Sequence, residues 1–267
     1  MRIHTYIILL AMALFPITAK SQLKNDLEKE GLKGPVSTVQ LELYQGKMEG
    51  GTVREGRPIG FYVTDYNETG FRTQERSGHF IDKWEYDAKG YKTKVTRLHL
   101  DGTIQQDRIF ENDSKGRCLA DRCVNSLGEL INKRVFEYDD QENKITRKQV
   151  FPTSPREVRV SFYDNKQNLI REDIYFPQPS ELRQRTLFRY NSLGQKMEER
   201  TMSDISTLLY NQQGDVTNIT YSDGTRTSVV KYVYKYDSRD NWIEKHELID
   251  GKAGNFYIRQ ISYRDSH

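Results

Sequence analysis

The chain holds only 2 cysteines and 7 prolines in 267 residues, and beyond Phe15 it has no apolar run long enough to cross a bilayer. Two cysteines exclude a disulfide-dense scaffold, and the missing runs exclude a polytopic helical membrane protein. An excess of one charge is also lacking: 41 basic residues stand against 38 acidic ones, a formal +3. So near a balance leaves no electrostatic footprint for nucleic acid. Gly-x-Ser-x-Gly, His-Glu-x-x-His, phosphate-loop and Cys-x-x-Cys motifs are absent, which removes the enzyme classes that rest on them. His79, His99, His246 and His267 are scattered and form no ligand spacing. The expectation is a non-enzyme with no cofactor, no metal site and no catalytic residue.

Aromatics are what the chain has in abundance. Its 17 Tyr, 11 Phe and 2 Trp supply surface worth burying, which excludes charge-driven disorder even though 30% of the residues are charged. Residues 1–21 have the pattern of a Sec signal peptide: Met1-Arg2 is a basic start, Ile7 to Phe15 an apolar run, and Ala19-Lys20-Ser21 places small residues before a cut at Gln22. The mature chain is therefore expected in the periplasm or outside the cell. It is not expected to be lipid-anchored, because the first cysteine is Cys118. Removal of Arg2 and Lys20 with the leader brings the net charge closer to zero.

A repeat organises the rest. Tyrosine, then Asp or Asn, then two variable residues and usually Gly recurs eight times at intervals of 20 to 27 residues. The second position is Asn67, Asp87, Asp113, Asp139, Asp164, Asn191, Asn211 or Asp237, and only Asn112 replaces the tyrosine. An Asp or Asn there accepts a backbone N–H two residues on, and Gly at the fifth position tolerates positive φ. Glu142, Gln167 and Asp240 replace that glycine, each followed by Asn, so in these copies the left-handed residue is expected to move to Asn143, Asn168 and Asn241. Calcium binding by the acidic turns is the alternative, disfavoured because no full ligand set repeats. A second turn signal lies between copies, for example Asp101-Gly102, Pro152 to Pro155, Pro177 to Pro179 and Asp250-Gly251. Each unit thus predicts a hairpin.

Two residues before the tyrosine position stand Thr64, Trp84, Phe110, Phe136, Ser161, Phe188, Leu208 and Tyr234, which places an aromatic ladder on one sheet face. The residue between is mostly charged. The fold class predicted is all-β: an antiparallel hairpin array, curled as a single sheet of about 16 strands, over residues 35–267. Residues 22–30 are expected to form a short helix, ended at Gly31, and the segment 22–34 to cap the first strand. Cys118 and Cys123 fall in one predicted strand, about 17 Å apart and on opposite faces, so they are expected to stay unpaired.

The Tyr-Asp-x-x-Gly pattern resembles the YD-repeat, or RHS-repeat, family of exported bacterial proteins, over about residues 60–265. In large relatives the repeat builds a sheet that spirals into a hollow shell around a toxin. Eight copies are few, and no toxin domain follows Tyr263, so the resemblance implies an architecture without enclosed cargo. The function expected is binding of an envelope or extracellular ligand, a glycan or a protein, through an extended surface. Trp84, Tyr232, Tyr234 and Trp242 are the candidate contacts, because ring faces stack on sugars. A structural component that pairs with another chain is the alternative, and a carbohydrate-active enzyme is a third. Charge on both faces of strands such as Lys144 to Gln149 argues against membrane insertion.

Overall fold

The computed structural model describes residues 24–151, 157–177 and 180–265; the expected leader, Gln22, Leu23, the turn signals at 152–155 and 178–179, and His267 lie outside them. After α1 (Asp26–Lys29) come β1 (Val36–Gln45), the small hairpin β2 (Lys47–Glu49) and β3 (Thr52–Arg54), and then β4 (Pro58–Tyr66). The first repeats contribute β5 (Arg72–Ser77), β6 (Ile81–Tyr86), β7 (Lys92–Leu98), β8 (Ile104–Asn112) and β9 (Cys118–Asn125). The middle of the chain forms β10 (Leu130–Asp139), β11 (Lys144–Val150), β12 (Glu157–Tyr163), β13 (Leu169–Pro177) and β14 (Ser180–Tyr190). Last come β15 (Lys196–Arg200), β16 (Ile205–Tyr210), β17 (Val216–Ser222), β18 (Thr227–Tyr236), β19 (Trp242–Ile249) and β20 (Lys252–Tyr263).

From β4 to β20 every strand pairs antiparallel with the next, as hairpin signals require. The expected open sheet of about 16 strands is corrected at its two ends. β1 pairs with β4 on one side and β20 on the other, Val39 lying opposite both Thr64 and Ile261, so 18 strands close into a barrel. β1 and β20 lie outside the eight hairpins and together supply the closure. An open sheet would leave two rows of unpaired N–H and C=O groups, and closure removes both.

Local geometry prepares the curl. At seven of the eight repeated turns the register slips by one residue beside the turn, as between Glu85 and Tyr86; only the Tyr138 copy pairs without a slip. Such bulges bend a strand and increase its twist. Followed once around, the registers displace the starting strand by about 20 residues, which for 18 strands implies a tilt of roughly 40° and a backbone diameter of about 35 Å.

Along β18, Val229, Lys231, Val233 and Lys235 are exposed while Tyr232, Tyr234 and Tyr236 are half-buried. The tyrosine face is thus the concave one, since side chains splay apart on a convex surface. Its residues are half-buried because the barrel is wide and its opposite walls stay apart.

A buried apolar cluster of Leu27, Leu32, Val36, Val39 and Tyr66, with Ile261 and Tyr263 against it, lies at the seam where β1 enters. Asn25 and Glu28 form a capping box for α1. The amides of Asp26 and Leu27 donate to the Gly70 carbonyl of the first repeated turn, and the amide of Lys33 donates to Asn241 Oδ1 of the last one. The segment therefore ties the two ends of the array together across the inner face. The expectation that it caps a strand edge is corrected, because the ring has no edge.

Candidate functional site

The repeated Asp and Asn side chains are occupied by their own turns. Asp87 Oδ1 accepts from the amides of Lys89 and Tyr91 at 2.8 and 2.9 Å. Asn67, Asp113, Asp164, Asn191 and Asp237 accept in the same two-residue pattern, Asn211 accepts from the Asp215 amide, and Asp139 accepts from Gln141 and Glu142. Hydrogen bonding from Arg117 also holds the Asp113 carboxyl below the usual range. Among the described residues no group of three or more His, Cys, Asp or Glu gathers to hold a metal ion. The left-handed residue does move to Asn143 in the Asp139 copy, but Gln167 and Asp240 keep positive φ themselves. There the following Asn bonds instead: Asn168 Nδ2 donates to Asp164, and Asn241 Nδ2 donates to Lys33 O and Tyr263 Oη.

From sequence the tyrosine rings are expected to pack while their hydroxyls reach water; in the repeat several hydroxyls instead bond the backbone. Tyr138 Oη donates to Cys118 O, Tyr190 to Leu169 O and Tyr210 to Lys196 O, each time the first residue of the strand leaving the preceding repeated turn. Where Asn112 replaces tyrosine, its Nδ2 donates to the equivalent Lys92 carbonyl at 2.8 Å. The recurrence of an N–H or O–H donor at one position was the signal available. Cys118 and Cys123 are both free, as expected, but the slip at Asn112 puts Cys118 on the inner side with Cys123 instead of opposite it. Burial pushes the Cys118 thiol up to about 11.

Of the four candidate contacts, three come together and one stands apart. Trp84, on β6, lies under the Arg72 guanidinium at 5.1 Å from the ring centroid. Tyr232, Tyr234 and Trp242 meet on the inner wall of β18 and β19: Tyr234 has ring centroids at 6.4 Å to Tyr232, 6.4 Å to Trp242 and 5.9 Å to Tyr236. Two cations that the sequence reading did not single out complete the group. Lys245 Nζ is 4.0 Å from the Tyr257 centroid and 5.1 Å from that of Trp242, and the Arg259 guanidinium is 3.6 Å from Trp242.

The cluster breaks the pattern around it. In regular units the cation opens the strand after the turn and leans on a neighbouring unit's ring, as Arg72 does on Trp84 and Lys92 on Phe110. In the last unit Trp242 takes that position, and the cations come from further along β19 and from β20. Desolvation by burial lowers the pKa of both Lys245 and Arg259. A cavity of about 260 Å³ opens beside Arg259, lined by Lys29, Glu30 and Lys33 of the bridging segment and by Asp215, Trp242 and Arg259 itself. The arrangement offers ring faces, hydrogen-bonding groups and positive charge on one wall.

Residues 102–240 match the model of a protein family described as "Uncharacterised protein", and the chain belongs to that family. No curated protein matches it. Among solved structures it is similar to TcdB2-TccC3 without its hypervariable C-terminal region, at 13% identity and a TM-score of 0.41, over 84% of this chain and 13% of that one. The Photorhabdus luminescens Tc holotoxin pore is similar at 14% identity and a TM-score of 0.34, over 78% of this chain and 12% of that one. A porin-like protein from Bacteroides vulgatus is similar at 12% identity and a TM-score of 0.40, over 86% of this chain and 99% of that one. The chain thus spans about an eighth of the toxin chains it resembles.

Proposed function

We propose that this family member is an exported, non-enzymatic barrel of YD-type repeats that binds an envelope or extracellular glycan on its inner wall. The observation that carries the reading is the convergence of Tyr232, Tyr234, Tyr236, Trp242 and Tyr257 with Lys245 and Arg259, of which Trp242 and Arg259 line an open cavity. Flat rings stack on sugar faces while flanking polar groups bond hydroxyls. The repeat assignment is supported by the eight turns, whose Asp or Asn side chains cap their own backbone in every copy.

Non-enzymatic action is supported by the state of the carboxylates. A glycosidase needs two at a defined separation with split proton affinities. Buried Asp82 is gripped by Arg97 through two bonds, and Asp121 by Arg108 and Arg134. Both sheet faces carry charge on strand after strand, which supports an aqueous location over a lipid-facing one. Pairing with another chain through a strand edge loses its basis, because every strand of the ring is paired on both sides.

A glycan array probed with residues 22–267 tests the reading. Binding that is lost on Trp242→Ala is expected; turnover of a bound glycan would overturn the non-enzymatic part, and no binding to any glycan would overturn the whole.

A further inference from the structure

We propose that Lys245 and Arg259 form an anion subsite, so that the ligand is an acidic polysaccharide with carboxylate or sulfate groups on its sugar rings. The inference rests on the glycan reading above and narrows it.

Both cations lie over one indole, 5.1 and 3.6 Å from the Trp242 ring, which brings like charges to a single patch of wall. Neither has a carboxylate within ion-pair distance among the described residues, and Arg259 Nε is buried without a hydrogen-bond partner. The carboxylates nearby act on the two cations only at longer range and hold other bonds: Glu247, two residues along β19, accepts from the Asn255 amide. Asp215 accepts from Tyr236, Glu30 from Tyr66 and Arg72, and Asp240 lies 4.0 Å from Lys33. Two desolvated charges of one sign repel, and an incoming oxyanion relieves that repulsion while forming charge-assisted bonds. The rings of Tyr232 and Tyr257, each within 5.3 Å of Lys245, offer a sugar its stacking surface next to the charge.

The test uses residues 22–267 carrying Trp84→Phe, so that Trp242 is the sole indole reporter. Its emission is followed during titration with polygalacturonate, chondroitin sulfate, methyl-esterified polygalacturonate and sodium sulfate at matched ionic strength. At least one acidic polymer should bind about tenfold tighter than both the ester and free sulfate, and Arg259→Gln or Lys245→Met should each weaken it about tenfold. Melting temperatures identify a variant that fails to fold, in which case the other decides. An ester that binds as tightly as the acid, or variants that bind like the parent, overturns the anion subsite and leaves the glycan reading standing. Sulfate that binds as tightly as the polymers overturns the polysaccharide class. If no polymer binds, acidic or neutral, both readings fail.

Discussion

On β7, β8 and β10, Arg97, Arg108 and Arg134 reach inward and each finds a buried aspartate; on β19 and β20, Lys245 and Arg259 reach inward and find rings. Asp121 is 1% exposed and takes two guanidinium partners, so every one of these guanidinium groups is held by a carboxylate at contact distance. In the second stretch neither cation has a carboxylate at contact distance among the described residues, and buried Glu247, two residues along β19, accepts from the Asn255 amide. The same residue types therefore serve two ends: paired, they fix strand against strand, and unpaired against aromatics, they leave electrostatic capacity for something not in the chain.

The strongest way to break this contrast is to remove a partner from the ion-paired wall. Asp121→Asn strands two arginines on the inner face and should cost about 3 kcal/mol or more of unfolding free energy. A denaturant titration that finds less than ~1 kcal/mol would mean that the pairs are solvated ornaments. Next in size is Gly90→Ala in the regular array. Gly90 has φ +82, and an added Cβ would lie 2.8 Å from the Phe71 ring, so strain and clash together should cost about 1–3 kcal/mol. Gly102→Ala, with φ +88 and open space, should lose less, and equal losses would show that crowding contributes nothing.

Tyr138→Phe removes the hydroxyl bond to Cys118 O and should cost about 1 kcal/mol, whereas the same change at exposed Tyr221 should leave stability nearly unchanged. Smallest is the effect of Lys245→Met, and its sign is opposite. Burial holds the Lys245 pKa below its ordinary value, so its charge opposes folding below that lowered pKa and the penalty fades as pH rises through it. The apolar variant should be slightly more stable at neutral pH, with the advantage shrinking in alkali. Asp173 behaves conversely. Its bonds from Arg185 hold its pKa down, so its contribution is complete above the ordinary carboxylate range and is lost as pH falls through the lowered value. Thermal melts across pH read both limbs, and a Lys245→Met variant less stable than the parent would remove the claim that burial of this charge outweighs the pull of Glu247 and Asp215.

Much of this was legible in residue order. The Tyr-Asp spacing located eight turns, their side-chain caps and the face on which Trp84, Phe110, Phe136 and Tyr234 lie, because all of these depend on neighbours a few positions apart. Tyr232, Tyr234 and Trp242 were found for the same reason. Lys245 and Arg259 were not, since nothing in their local sequence differs from a strand lysine or arginine. Only the register that sets Lys245 opposite Tyr257, and Tyr257 opposite Leu43, gives them their surroundings.

Strand identity, turn chemistry and the two-sided alternation were determined by the sequence itself, since each is decided by hydrogen bonds and sterics within a few residues. Closure was decided by tertiary structure alone. β1 contacts β20 across more than two hundred residues, and whether that pairing forms depends on the summed bend of the bulges and on the stagger they accumulate around the ring. No single turn encodes that sum. The same holds for the empty charge on the inner wall: composition counts cations and anions, but only the closed barrel determines which of them are left without a partner.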